Sequence, residues 1–247
     1  MPDPRVSWLV VLALSSLACI ASCGATSTGI EPPIVPAPSP VSPVDPGQAF
    51  PGSIAQVVAR VQARRQVLSP FEAVLETREW KGAEFRGTKY RMLVQSSGLV
   101  KNTVVQSSTQ FMTGMEMLVD GTDKVRIKLP GVLSFVTMTV SIQDERARSL
   151  NGFYPRQTDP SVFILGVSDP RARLTQASPI VFEGRVLPVV AFSRPDLPAG
   201  VTVAEAGIDM RTGDVVVGRL LAGNRLVYEY RMRNVVFRPI APSEMTL

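Results

Sequence analysis

Turn sequences recur along the second half of this chain, and they constrain its fold more than any other feature. Asp120-Gly121-Thr122-Asp123 separates Met115–Val119 from Lys124–Leu129, and Glu183-Gly184 separates Pro179–Phe182 from Arg185–Phe192. Arg211-Thr212-Gly213-Asp214 lies between Ile208–Met210 and Val215–Leu221, and Gly223-Asn224 divides that second segment from Arg225–Phe237. Each break has the Gly/Asn/Asp chemistry of a hairpin turn. Lys124, Arg126 and Lys128 alternate with Val125, Ile127 and Leu129, the period of a half-buried strand. Turn signals about 8–12 residues apart predict an antiparallel sheet of many strands, curled into a barrel or half-barrel. The chain shows no fixed-period repeat, which argues against a propeller or solenoid.

Two helices are expected beside that sheet. Ser53 followed by IAQVVARVQARRQV places Ile54, Val57, Val58, Val61 and Val67 on one broad face, with Pro70 as the stop. Asp159-Pro160 opens a second short helix, SVFILGV, with Asp159 as N-cap, and Pro170 ends it. After Pro70 the pattern changes to period two. Residues 111–119 (FMTGMEMLV) and 132–142 (VLSFVTMTVSI) read as strands apolar on both faces. A strand of that kind either lies in a double layer or is covered by helices on one side and lines an apolar cavity on the other.

The N-terminus has a different character. Arg5 precedes the apolar run Val6–Ala21, which is shorter than the roughly 20 residues a transmembrane helix needs and fits a secretory signal peptide. Ile20-Ala21-Ser22-Cys23 resembles a bacterial lipobox. The resemblance implies a diacylglycerol thioether on Cys23, cleavage before it, and acylation of the new amino group. Cys19 fits less well, because Ser16 stands where an aliphatic residue is wanted. Gly24 after the lipid site, rather than aspartate, implies an outer-membrane address. From Glu31 to Pro51 eight prolines make an extended, semi-rigid spacer. The expected organisation is a signal peptide over 1–22, a lipidated cysteine and tether over 23–52, and one folded domain over 53–247.

Composition excludes several chemistries. The chain of 247 residues has no histidine, and its only cysteines are Cys19 and Cys23. The folded part therefore has no imidazole base, thiolate nucleophile, disulfide or Cys/His metal cluster. Neither a P-loop nor a GxGxxG loop occurs. A net charge of +5 without long basic runs, and 6% aromatic residues, does not describe a nucleic-acid surface. Three carboxylate pairs (Asp120 with Asp123, Asp144 with Glu145, Asp209 with Asp214) fall at turns or strand ends, where backbone geometry selects Asp. No enzyme, cofactor or metal is expected. Phe111, Met115, Met117, Phe135 and Met138 are the candidate lining of an apolar ligand site, against the alternative that they fill the core. Lys124, Arg126 and Lys128 are candidates to face anionic headgroups, against the alternative of a solvated strand face.

Several segments resemble the periplasmic lipoprotein-carrier group of the LolA/LolB type, and more closely an uncharacterised family related to it. They are Leu118-Val119-Asp120-Gly121, Lys124–Pro130, Leu133–Ile142, and Ile208-Asp209-Met210 through Tyr228-Glu229-Tyr230-Arg231 to Asn234-Val235. The resemblance spans most of residues 53–238, on short motifs. It implies an α+β fold: a single antiparallel, strongly curved sheet (an incomplete β-barrel), with an N-terminal helix and a short mid-chain helix capping the concave side. It also implies an apolar concave face that holds acyl chains; no family residue maps one by one onto this chain. The functional expectation is a membrane-anchored envelope lipoprotein that binds an acyl chain or lipoprotein client in a carrier or sorting role. The alternative is an anchored protein-interaction module with a filled barrel and an envelope protein as partner.

Overall fold

The computed structural model describes residues 53–247, apart from residues 68, 120–122 and 146–147. The expected signal peptide, the expected lipid site at Cys23, the expected tether and the turn expected at residues 120–122 lie outside the described residues. Helix α1 (Ile54–Gln66) starts directly after Ser53, as predicted, with a capping box: the Ser53 hydroxyl accepts the Gln56 N–H, and the Gln56 side chain accepts the Ser53 N–H. Val57 and Val61 are buried. Val67 departs from the predicted apolar face, because the backbone turns extended there and leaves the side chain 57% exposed.

Eleven strands follow: β1 (Phe71–Lys81), β2 (Glu84–Val94), β3 (Val100–Ser107), β4 (Glu116–Val119), β5 (Lys124–Lys128) and β6 (Thr137–Ser141). After helices α2 (Pro155–Thr158) and α3 (Pro160–Ser168) come β7 (Arg173–Phe182), β8 (Arg185–Ser193), β9 (Val203–Asp209), β10 (Asp214–Ala222) and β11 (Arg225–Phe237). They form one open antiparallel sheet, ordered β6-β5-β4-β3-β2-β1-β11-β10-β9-β8-β7. The first and last strands pair at its centre, and the helical segment leaves the sheet between its two edges. The fold is the expected α+β curved sheet, not closed into a barrel. The strands flanking each predicted turn pair antiparallel; at Glu183 and Gly184, φ values of 49° and 72° give the doubly positive turn that matches strand twist.

The helices cover the concave face toward β7–β10. Helix α3 packs on β8, β9 and β10, and α1 packs on α3, β7 and β10. Asp159 caps α3 by accepting the Ser161 N–H at 2.7 Å, with Pro160 in the first turn. Phe163 carries the packing, with its ring 5.1 Å from that of Tyr230 and 6.3 Å from that of Phe192. Gly166 lets the helix settle on the sheet: a Cβ there would lie 2.1 Å from the Phe192 ring.

The two doubly apolar segments resolve differently from a pair of long strands. Only Glu116–Val119 and Thr137–Ser141 are strand; Phe111 sits in a 3-10 turn (Gln110–Met112), and a second turn occupies Gly131–Leu133. Gly114 and Gly131, at φ 88° and 62°, break the extended backbone before each strand. Strand β4 is apolar on both faces because both are covered. Met117 and Val119 face the main core, while Leu118 joins Leu93 under Ile240 and Met245 of the C-terminal segment. That segment is strapped down by Arg238, which pairs with Glu72 at 2.7 Å and Glu244 at 2.6 Å, and by Lys101 donating to the Thr246 carbonyl.

Candidate functional site

A cleft of about 750 Å³ opens beside α3, where the helical segment leaves the sheet. Ile142, at the exit of β6, and Val162 and Leu165 of α3 are its aliphatic lining. Its rim is charged: Arg65 comes from the last turn of α1, Asp169 and Arg171 follow α3, and Arg194 and Asp196 follow β8. Arg171 holds Asp169 through nitrogen–oxygen contacts of 3.1 and 2.8 Å. Those side-chain hydrogen bonds, reinforced by the Arg171 backbone N–H, hold the Asp169 carboxyl down to about 2. Arg194, only 10% exposed, lies 2.9 Å from Asp196. Inside the cleft the Ser168 hydroxyl is buried without a hydrogen-bond partner among the described residues. An aliphatic lining with a guanidinium-bearing rim suits a molecule with an aliphatic body and a polar or anionic head.

A second polar cluster ties the helical segment to the inner sheet face. Glu79 points inward from β1, 4% exposed, and its carboxylate accepts the Leu150 N–H at 2.9 Å. Tyr228 donates its hydroxyl to the Thr158 carbonyl at 3.0 Å, and Asn151 donates to the Val227 carbonyl at 3.0 Å. Burial pushes the Glu79 carboxyl above its usual range, although Ser149, Leu150 and Arg86 pull the other way.

The sequence-derived candidates divide into two groups. Met117 and Met138 lie in one cross-strand row on the inner face, on either side of Ile127, and Met115 is buried in the same core. Phe111 (70% exposed) and Phe135 (82% exposed) stand on turns instead. Phe111 lies outside any strand, so strand alternation does not group it with Met115 and Met117. None of the five lines the cleft beside α3. The cleft-lining positions Val162 and Leu165 were not singled out by sequence reasoning. Their only signal was a short helix without a polar face, which reads as a buried helix and does not mark a cleft.

Lys124, Arg126 and Lys128 project from the outer face of β5, with Lys128 4.0 Å from Glu116. Asp209 and Asp214 are engaged as structural partners. Asp209 accepts from Arg185 at 2.7 Å, and Asp214 accepts from Arg64 at 2.7 Å. For Asp209, burial raises the pKa, but the bonds from Arg185 and Arg211 outweigh it and the net shift is downward. No group of three potential metal ligands gathers among the described residues.

No family model matches the chain, and no curated protein matches it. Among solved structures, the chain is similar to an uncharacterised conserved protein from Thermus thermophilus (9% identity, TM-score 0.49). That match covers 78% of this chain and 93% of the other. It is also similar to a LolA superfamily protein from Nitrosomonas europaea (9% identity, TM-score 0.38), over 79% of this chain and 98% of that one. A third neighbour is the Mycobacterium tuberculosis lipoprotein LppX (12% identity, TM-score 0.46), over 76% of this chain and 96% of that one.

Proposed function

We propose that this chain is a non-catalytic, membrane-anchored envelope lipoprotein that binds an acyl chain or a lipoprotein client in a carrier or sorting role. The observation that carries the reading is the cleft of about 750 Å³ beside α3, with Ile142, Val162 and Leu165 in its lining and arginines at the rim. The volume falls within the range of small-molecule sites, roughly 300–1,000 Å³. In the expected organisation, residues 1–22 form the signal peptide, Cys23 carries the lipid, and residues 24–52 span to the domain, facing the periplasm from the outer membrane.

The purified, delipidated protein should take up a fluorescent fatty acid saturably. Leu165→Glu should weaken that uptake at least tenfold while leaving the fold intact, because Leu165 is only half-buried. Full-strength uptake by this variant would remove the cleft from the reading, and no uptake by the parent protein would remove the carrier role. The alternative module with a filled barrel has its own support: Tyr90, Tyr230, Phe163 and Phe192 are fully buried within one continuous core.

Anchoring has a separate test. Metabolic palmitate labelling should disappear in Cys23→Ala and persist in Cys19→Ala. Labelling that survives loss of Cys23 would overturn the lipid assignment.

A further inference from the structure

The two ends of the sheet are not equivalent. Strand β7 carries Pro179 and a register irregularity between Ala177 and Ile180, both of which blunt an edge against pairing. Strand β6, Thr-Met-Thr-Val-Ser, has no proline, charge or bulge, and it ends the sheet on the other side. Its hydrogen-bonding parity follows from the flanking bonds: Leu129 N–H donates to the Val136 carbonyl and Ile142 N–H to the Asp123 carbonyl. In an antiparallel ladder this alternation turns residues 136, 138, 140 and 142 toward β5. The backbone N–H and C=O groups of Thr137 and Thr139 and the N–H of Ser141 then face outward, where no described strand meets them, while the Ser141 carbonyl accepts the Asp144 N–H at 3.0 Å.

The two faces beside that edge specify what would fit. On the inner face Met138 and Val140 end the rows Met117–Ile127–Met138 and Val119–Val125–Val140, and both are only half-buried. An added strand would complete those rows with apolar side chains. On the outer face the edge carries only small hydroxyl residues, and Arg126 and Lys128 stand on the next strand. An added strand lies two spacings from β5, about 10 Å, a gap that a glutamate and an arginine or lysine can close across threonine. Exposed Phe135 and Val132, 82% and 90% accessible, form an apolar shelf where the edge begins.

We propose that the outer edge of β6 is a strand-addition site for an extended segment of a partner protein in which acidic and apolar residues alternate. Main-chain bonds to Thr137, Thr139 and Ser141 hold the segment, and Arg126 and Lys128 select its charge. A second copy of this chain fits less well, because pairing two β6 edges brings two basic β5 faces toward each other without acidic partners.

The probe is a labelled nine-residue peptide alternating valine and glutamate, compared with its valine–lysine counterpart, against the full chain in detergent. The glutamate peptide should bind in a salt-sensitive way at least tenfold more tightly than the lysine peptide. Its binding should slow hydrogen exchange at the Thr137, Thr139 and Ser141 amides. Arg126→Glu, at an exposed position, should weaken binding at least tenfold. Thr139→Pro should do the same, since it removes an outward N–H and leaves the β5 ladder intact. Equal binding of both peptides, or undiminished binding by a Thr139→Pro protein with unchanged melting temperature, overturns the proposal. So does a peptide-independent dimer lost in Thr139→Pro, which would make the occupant a second copy. Finally, binding to phosphatidylglycerol vesicles that Phe135→Asp abolishes, with no peptide binding, assigns the surface to a membrane instead.

Discussion

Phe163→Ala is expected to destabilise the domain by about 3–5 kcal/mol, the range for removing a fully buried phenylalanine. The side chain is 0% exposed and its ring packs edge-on against both Tyr230 and Phe192. Two rigid rings and the sheet behind them cannot collapse into the space it leaves, so most of the cavity term remains. Against a typical total stability of about 5–15 kcal/mol this is a large fraction, and the midpoint of thermal unfolding should fall by on the order of 10 °C. Because α3 also supplies Val162, Leu165 and Ser168 to the cleft, fatty-acid uptake should fall with stability. Denaturant titration of parent and variant checks the first effect. A loss below about 1 kcal/mol would mean that α3 opens independently of the sheet and lies outside the cooperative core.

The second large effect is a pH dependence set by Glu79. Its carboxyl is raised above the ordinary value by burial, so the folded protein binds this proton more tightly than the unfolded chain does. The stabilisation is complete below the ordinary carboxylate pKa. It is lost as pH rises through the raised value, at up to about 1.4 kcal/mol per pH unit. Carboxylates with the opposite shift, such as Glu72 and Glu229, act in the reverse sense at acid pH, so the comparison must be with a variant rather than with pH alone. Glu79→Gln keeps an acceptor for the Leu150 N–H and removes the titration. The variant's stability relative to the parent should therefore climb as pH rises above 4.5, until it passes the raised value. A difference that stays flat across that range would show that Glu79 titrates normally and does not couple protonation to the seating of residues 149–158. Glu79→Leu should be destabilised at every pH, since the part-buried Leu150 N–H loses its acceptor.

Local chemistry was legible along the chain. Asp159 caps the helix it was expected to cap, and Ser53 caps the helix expected to follow it, because a side-chain oxygen two or three residues before a free N–H needs nothing distant. The Glu183-Gly184 and Gly223-Asn224 breaks became hairpins for the same reason: backbone preference acts over four residues. Strand β1 was less legible. Its FEAVLETREWK alternates inward and outward, but its inward positions include Thr77 and Glu79, which sequence alone reads as solvent-facing. Only a segment some 70 residues further along buries them.

The same reasoning applies to the apolar residues. Met115, Met117 and Phe135 look alike in a string of letters, yet two are in the core and one is 82% exposed on a turn. Gly114 and Gly131 end the extended runs, and which face of β4 is covered depends on where Ile240 and Met245 return. By itself, then, the sequence determined the caps, the turns, the alternation and hence the antiparallel sheet, all of which are set by interactions within a few residues. Tertiary structure alone decided which strands became edges, that both faces of β4 are buried, that Glu79 is enclosed, and that a cleft lies beside α3. Each of those depends on contacts between segments far apart in sequence, whose free energy exists only once the sheet has brought them together.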